Sequence, residues 1–430
     1  MEGQKMSKLV KLKHISILIG SGITPRRDNT NYWENGTIPW LKTEQLGENK
    51  IFNTSEKITQ VALDETSIKI FPVNTLAIAM YGEGRTRGNV SILKTAMTTN
   101  QACCNVVIDK TKADYEFVYY YLKTQYNKLR SLSSGVRKNL NSNDIKEFEI
   151  NLPKDISTQH QIASVLSSLD TKIELNNRIN AELEAMAKTL YDYWFVQFDF
   201  PNHEGKPYKT SGGKMFWNKE LKREIPEGWE VKSLCEIADL KAGGDKPKNY
   251  SKIQTNAHQI PIFSNGITND GLYGFTDEAK ILNPSITVSA RGTIGYCVLR
   301  NKPFVPIIRL IVVTPNSLYQ AKFLYERIKS MEFDNSGSVQ QQLTVPQISS
   351  AKVVMPSSEI LKKYDTLTSS GMKKIEINKE ENQQLTSLRD WLLPMLMNGQ
   401  VTVGSSVKEK ASYEIMEEMK IAAEPETKPF

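Results

Sequence analysis

The word Ile173-Glu174-Leu175-Asn176 returns later as Ile375-Glu376-Ile377-Asn378, and in the same register Asn180 meets Asn382 and Leu183 meets Leu385. The offset is 202 residues, a domain-sized repeat and not a solenoid period. Each copy lies in a long run with helical periodicity: Ser157–Phe195, following Leu152-Pro153 and free of glycine and proline, and Glu359–Met397, following Met355-Pro356. In the first run Ile162, Leu166, Leu169, Ile173, Asn176, Asn180, Leu183, Ala187, Leu190 and Trp194 advance by alternating steps of four and three, the spacing of a coiled-coil seam. The second run offers Leu361, Tyr364, Thr368, Ile375, Asn378, Asn382, Leu385, Leu392 and Leu396. Asparagines occupy the centre of both seams, where a polar residue can fix register at a cost in stability. The expectation is that the helices pack antiparallel about a pseudo-twofold, with Asn176, Asn180, Asn378 and Asn382 locking them against sliding. Gly371 interrupts the second run and marks either a close helix crossing or a local kink.

Outward from the helices, the segments before them also repeat. Leu12 and Leu234, Gly22 and Gly244, Pro25 and Pro247, and Ile38-Pro39 and Ile260-Pro261 share an offset of 222. Each segment opens on a helix-like run, Leu12, Ile15, Leu18 or Leu234, Ile237, Leu240, ended by a glycine turn. Strand, glycine loop and strand follow: Thr75–Met80, the loop Gly82 to Gly88, then Val90–Leu93, and Ser285–Ser289, the loop Arg291 to Gly295, then Cys297–Leu299. Next come helical stretches at Tyr115–Leu129 and Leu318–Met331, and each globule closes on a matched phrase, Gly135 to Leu140 or Gly337 to Leu343. The fold class is α+β: two tandem α/β globules, 1–156 and 199–358, each followed by a long helix, 157–198 and 359–397. Residues 398–430 read as a disordered tail with a short helix around Tyr413–Ile421.

The net charge is +7, and its distribution separates the parts. The globules carry +6 and +5, the helices −2 and 0, and the tail −2. Two basic globules on a neutral spacer suit a protein that grips one polyanion at two places. The apolar run Ile15–Ile19 is far too short for a signal or a membrane span, so a cytoplasmic location is expected. Cys103, Cys104, Cys235 and Cys297 form no CxxC pair, and His14, His160, His203 and His258 are too scattered for a zinc signature. Gly82 and Gly84 lack the spacing of a dinucleotide loop, and Gly213-Lys214 runs into Met215 where a phosphate-binding loop needs Ser or Thr. No adenine-methylation, nuclease or hydrolase phrase stands out, so no catalytic residue, metal or cofactor is expected in this chain.

The chain resembles the specificity subunit of type I restriction-modification enzymes over nearly its whole length to Val401. The resemblance rests on Ile225-Pro226-Glu227-Gly228-Trp229, on Ile260 to Gly266, on Gly292-Thr293-Ile294-Gly295, on the paired Ser134-Gly135 and Ser336-Gly337, and on Leu392-Leu393-Pro394. It implies two target-recognition domains, each reading one half of a split sequence in double-stranded DNA. The helices would serve as spacer and as docking surface for two modification subunits, with two restriction subunits completing the complex. S-adenosylmethionine, ATP and Mg would belong to those partners. About 40 helical residues span ~60 Å, enough to hold two readers one DNA turn, ~34 Å, apart.

The two domains differ where they would read. The first loop carries Arg85-Thr86-Arg87-Gly88 in place of a Gly-Thr-x-Gly pattern, and the closing phrases carry Arg137-Lys138-Asn139 against three glutamines. Arginine pairs with guanine, glutamine or asparagine with adenine, and lysine with phosphate. The candidate DNA-binding residues are therefore Arg85, Arg87, Arg137 and Lys138 in the first domain, and Lys246, Lys248, Arg291, Gln340 and Gln341 in the second. Opposite the asparagine seam, Leu175, Ile179, Met186, Ile377 and Leu388 are apolar and are the expected docking residues for the modification subunits. The competing reading is a coiled-coil scaffold whose globules bind other proteins, which salt-sensitive DNA binding would separate from a DNA reader.

Overall fold

The computed structural model describes residues 7–47, 50–82, 84–132, 139–333 and 342–403. Arg137, Lys138, Gln340 and Gln341 and the tail from residue 404, with its expected helix at Tyr413–Ile421, lie outside the described residues. The chain is mixed α/β and divides into two compact units. One holds the described residues up to Asn176 together with those from Glu380 onward, and the other runs Asn177–Lys379.

In the first unit a five-stranded sheet has the order Ser16–Ser21, Cys103–Ile108, Leu76–Ala79, Val90–Leu93, Lys50–Ile51, antiparallel except at the last pair. A smaller sheet joins Glu56–Ile58, Ile38–Leu41 and Thr98–Thr99, and Ser7–Lys11 pairs with Glu149–Pro153. The central strand Leu76–Ala79 is buried throughout, as is its neighbour Val90–Leu93, which accounts for their apolar character, broken by Ser91, whose buried hydroxyl accepts from Gly47 N at 3.0 Å. The helix Tyr115–Thr124 covers this sheet with Phe117, Val118 and Leu122. Asp114 caps it by accepting from Phe117 N at 2.8 Å.

The second unit repeats this order with other residues. Ala238–Ala242, Ile311–Pro315, Ser285–Val288 and Cys297–Arg300 form an antiparallel sheet, Leu272–Thr276, Ile260–Phe263 and Val305–Pro306 a smaller one, and Glu230–Ser233 pairs with Lys352–Met355. A hairpin of Met215–Asn218 and Arg223–Pro226 is added before it.

The helix-like runs that open each globule are helical for one turn only, at Leu12–His14 and Leu234–Ile237, and then become strands. Pairing with Cys103–Ile108 and with Ile311–Pro315 outweighs the local helical spacing. The expected helix Tyr115–Leu129 breaks at Gln125 into Tyr115–Thr124 and Tyr126–Ser131. The matched glycines also shift. Gly22 N donates to Cys103 O at 3.1 Å as Gly243 N does to Leu310 O at 2.8 Å, so Gly22 corresponds to Gly243 and not to Gly244. The register of the first strand slips between Ser16 and Leu18, a bulge that absorbs one residue and leaves Ile17 72% exposed.

Two long helices run Ile156–Tyr191 and Ser358–Met397. Asp155 starts the first, accepting from Ser157 N at 3.1 Å and Thr158 N at 3.0 Å. A single π-type turn, Asp192–Val196, ends it. In the first unit its start shares a core with the end of the second helix: Ile162, Ala163 and Leu166 with Leu396 and Met397. In the second unit its end, Tyr191, Trp194 and Phe195, packs with Ile360, Leu361 and Tyr364. The second helix passes through Gly371 without a break, and a Cβ there would lie 3.5 Å from Leu183 Cδ2, so the glycine marks a close helix approach.

Candidate nucleic-acid interface

In each unit the fold sews the glycine loop to the closing phrase. Leu140 N donates to Met80 O at 3.1 Å in the first unit, and Leu343 N to Ala290 O at 2.9 Å in the second. The described end of each closing phrase is thereby held beside the strand end that leads into the glycine loop, about 50 residues earlier in sequence.

The first loop is braced from the helix Tyr126–Ser131. Tyr126 Oη donates to Arg85 O at 2.7 Å, and Arg130 donates to Gly84 O at 2.7 Å and to Tyr126 Oη at 2.7 Å. Gly88, at φ 89°, leaves room for that arginine, because a Cβ there would lie 3.1 Å from Arg130 Cγ. The brace leaves the Arg85 side chain exposed and that of Arg87 half-buried. Tyr126 and Arg130 escaped the sequence reading, since nothing local links them to a loop 40 residues earlier.

In the second unit Arg291 forks onto Gln342, its Nε and one terminal nitrogen donating to Oε1 at 3.1 and 2.7 Å. Gln342, the third glutamine of the closing phrase, is thus the one that orients Arg291. Below the loop, Tyr296 Oη donates to Asp270 Oδ1 at 2.7 Å, Lys379 Nζ to Asp270 Oδ2 at 3.3 Å, and Arg300 to the Asp270 carbonyl. Burial pushes the Asp270 carboxyl up, but the Tyr296 bond and the cations Lys379 and Arg300 outweigh it and hold the group below its ordinary value. Asp270 therefore links the residue after the glycine loop to the second long helix.

Lys246 and Lys248 lie on the exposed turn after Gly243. Lys246 sits 4.0 Å over the Tyr250 ring, and Lys252, not foreseen from the sequence, 3.5 Å over Tyr273. The hydrogen bond with Tyr250 raises the Lys246 ammonium above its ordinary value and keeps it charged. Such a cluster suits a phosphate backbone better than a base edge.

The central asparagines pair within the units. Asn176 Nδ2 donates to Asn382 Oδ1 at 2.9 Å and to Glu381 Oε2 at 2.7 Å in the first, and Asn378 Nδ2 to Asn180 Oδ1 at 2.9 Å in the second. Of the expected docking residues, Met186, Ile377 and Leu388 are exposed, whereas Leu175 and Ile179 are half-buried. Leu367 and Trp391, absent from that expectation, are also exposed on the second helix, at 59% and 57%. All four cysteines are free, and among the described residues no three His, Cys, Asp or Glu side chains converge to hold a metal ion. No helix among them is long and apolar enough to cross a membrane.

The family model of the type I restriction modification DNA specificity domain matches residues 5–185 and 226–387. The chain belongs to that family. It is 27% identical over 420 residues to the specificity subunit of the type I restriction enzyme MjaIX of Methanocaldococcus jannaschii, covering 91% of this chain and 93% of that protein. It is 26% identical to the HindI specificity subunit of Haemophilus influenzae, over 66% of this chain and 77% of that one. The crystal structure of the type I restriction-modification S subunit of M. genitalium shares the fold, with a TM-score of 0.60, 19% identity, and coverage of 92% of this chain and 97% of that one.

Proposed function

We propose that the chain is the sequence-specific DNA-binding subunit of a type I restriction-modification complex, each unit reading one half of a bipartite double-stranded target. The observation that carries this reading is the backbone bond that recurs beside the glycine loop of each unit. One backbone arrangement, Leu140 to Met80 and Leu343 to Ala290, presents Arg85 and Arg87 in one unit and the Arg291–Gln342 pair in the other. A common frame with different donors is what two different half-sites require.

In this reading the target-recognition domains are residues 1–156 and 199–358, with the helices of 157–198 and 359–397 between and after them. The helices pack as an antiparallel coiled coil about a pseudo-twofold, and the asparagine pairs hold its register. They set the half-site spacing and dock two modification subunits through Met186, Ile377 and Leu388 with Leu175 and Ile179, and Leu367 and Trp391 extend that surface. Two restriction subunits complete the assembly. The chain directs adenine methylation or restriction without catalysing either. S-adenosylmethionine, ATP and Mg belong to the partners, and the complex acts on DNA in the cytoplasm.

The test is to express the chain with its modification subunit, map adenine methylation across a genome, and repeat the map with the first recognition domain exchanged. A split motif of which the exchange alters one half is expected. A motif unaltered by the exchange, or altered in both halves, defeats the division of labour. Loss of any motif with an active partner favours a protein-binding scaffold.

A further inference from the structure

One strained, exposed turn of the second unit has no place in the loops described above. Ile308 and Arg309 are consecutive residues at φ 52° and 62°, in the left-handed region that a β-branched side chain rarely enters. Both side chains are exposed, although Ile307 and Leu310 on either side are buried. Such conformations persist only where surrounding bonds over-determine them, and they gather at functional sites. Here Ile308 N donates to Gly244 O at 2.9 Å and Arg309 N to Gly243 O at 3.1 Å. Asn265 Nδ2 donates to Ile308 O at 2.7 Å, while Asn265 Oδ1 accepts from Ala290 N at 2.7 Å. The turn is thereby fixed to the loop that carries Lys246 and Lys248 and to the residue before Arg291.

The first unit places the corresponding turn on the same frame with other side chains. Asn100 N donates to Leu41 O at 2.9 Å as Ile307 N does to Phe263 O at 2.9 Å, and Gly22 corresponds to Gly243. Gln101 therefore stands where Ile308 does, and Ala102 where Arg309 does. Neither Gln101 nor Ala102 is left-handed. A turn whose flanking backbone bonds recur while its own conformation and side chains change, next to a basic loop, has the character of a reading position. The Arg309 guanidinium has no hydrogen-bond or ion-pair partner among the described residues, so its fork of donors is available to a ligand.

We propose that Arg309 is a specificity-determining residue of the second unit, forking onto the O6 and N7 edge of a guanine in its half-site. The inference rests on the reading of that unit as a DNA reader. The test uses the full chain with its modification subunit and compares methylation motifs of the wild type, Arg309→Lys, Arg309→Gln and Arg309→Ala. Each variant is expected to lose about 10- to 100-fold discrimination at one guanine-containing position of one half, the other half remaining unchanged. Lysine keeps the charge but not the fork, so Arg309→Lys separates base reading from phosphate contact. If Arg309→Lys matches the wild type while Arg309→Ala weakens methylation at all sites alike, Arg309 grips phosphate and the proposal is overturned. Motifs identical across all variants overturn it too, and leave the DNA-reader reading standing. A wild type without any split motif overturns that reading itself, and the proposal with it.

Discussion

Asn176 and Asn382, 206 residues apart, meet side chain to side chain at 2.9 Å, with Asn176 only 1% exposed. A buried amide left without its partner costs about 1–3 kcal/mol, whereas two leucines of similar size replace the pair with apolar packing. Asn176→Leu alone is expected to lower stability by that amount, and Asn176→Leu with Asn382→Leu to recover most of it. The pair Asn180 and Asn378 should gain outright from double replacement, because Asn378 Oδ1 is buried and has no hydrogen-bond partner among the described residues. Double-mutant cycles by chemical denaturation measure both. Full additivity in either pair would show that the amides do not couple.

Asp170, 2% exposed, accepts from Arg389 at 2.7 Å and from Tyr120 Oη at 2.6 Å, and so joins the sheet-covering helix, the first long helix and the second. Removing one partner of a buried ion pair strands the other charge, at about 3–5 kcal/mol. Arg389→Met should cost this much, and Arg389→Met with Asp170→Leu much less. Equal losses in the single and double variants would mean that the cost does not come from a stranded charge.

Gly371 sits in an unbroken helix, and the Cβ of an alanine would make ordinary contact with Leu183. Gly371→Ala is therefore expected to stabilise by about 1 kcal/mol, read as a rise in Tm. A bulkier Gly371→Leu should reverse the sign by forcing the helices apart.

Asp270 has a folded pKa below its ordinary value, so its bonds to Tyr296 and Lys379 stabilise fully above the unfolded value of about 3.9. The contribution is lost as pH falls through the depressed folded value. Denaturant midpoints measured below pH 4 should fall more steeply in the wild type than in Asp270→Asn. Parallel curves would remove Asp270 from the acid response.

Charged substitutions at exposed helix positions test docking without disturbing a core. Ile377→Glu, Leu388→Glu and Trp391→Glu are expected to leave the melting temperature within a few degrees of the wild type and to abolish co-purification with the modification subunit. Intact assembly in all three would place the partner elsewhere. Leu175 and Ile179, being half-buried, would mix the two effects.

The amino-acid sequence by itself determined the repeat, the two long helices with asparagines at their centres, the strand, glycine loop and strand order, and the family resemblance. Each of these is a periodic or local signal, or, for the repeat, the recurrence of such a signal about 200 residues later. Only the tertiary structure decided which asparagine meets which, because that choice depends on side chains some 200 residues apart. The bulge at Ile17 moved the glycine match by one residue, and sheet pairing overrode the opening helical runs, since strand register is set by a partner and not by local propensity. Tyr126 and Arg130 carry no motif of their own, and the phrases that hold Gln342 and Asn265 name no partner for them. They acquire roles as braces because the folded chain brings distant loops within hydrogen-bond reach of them, a condition that no spacing along the sequence expresses.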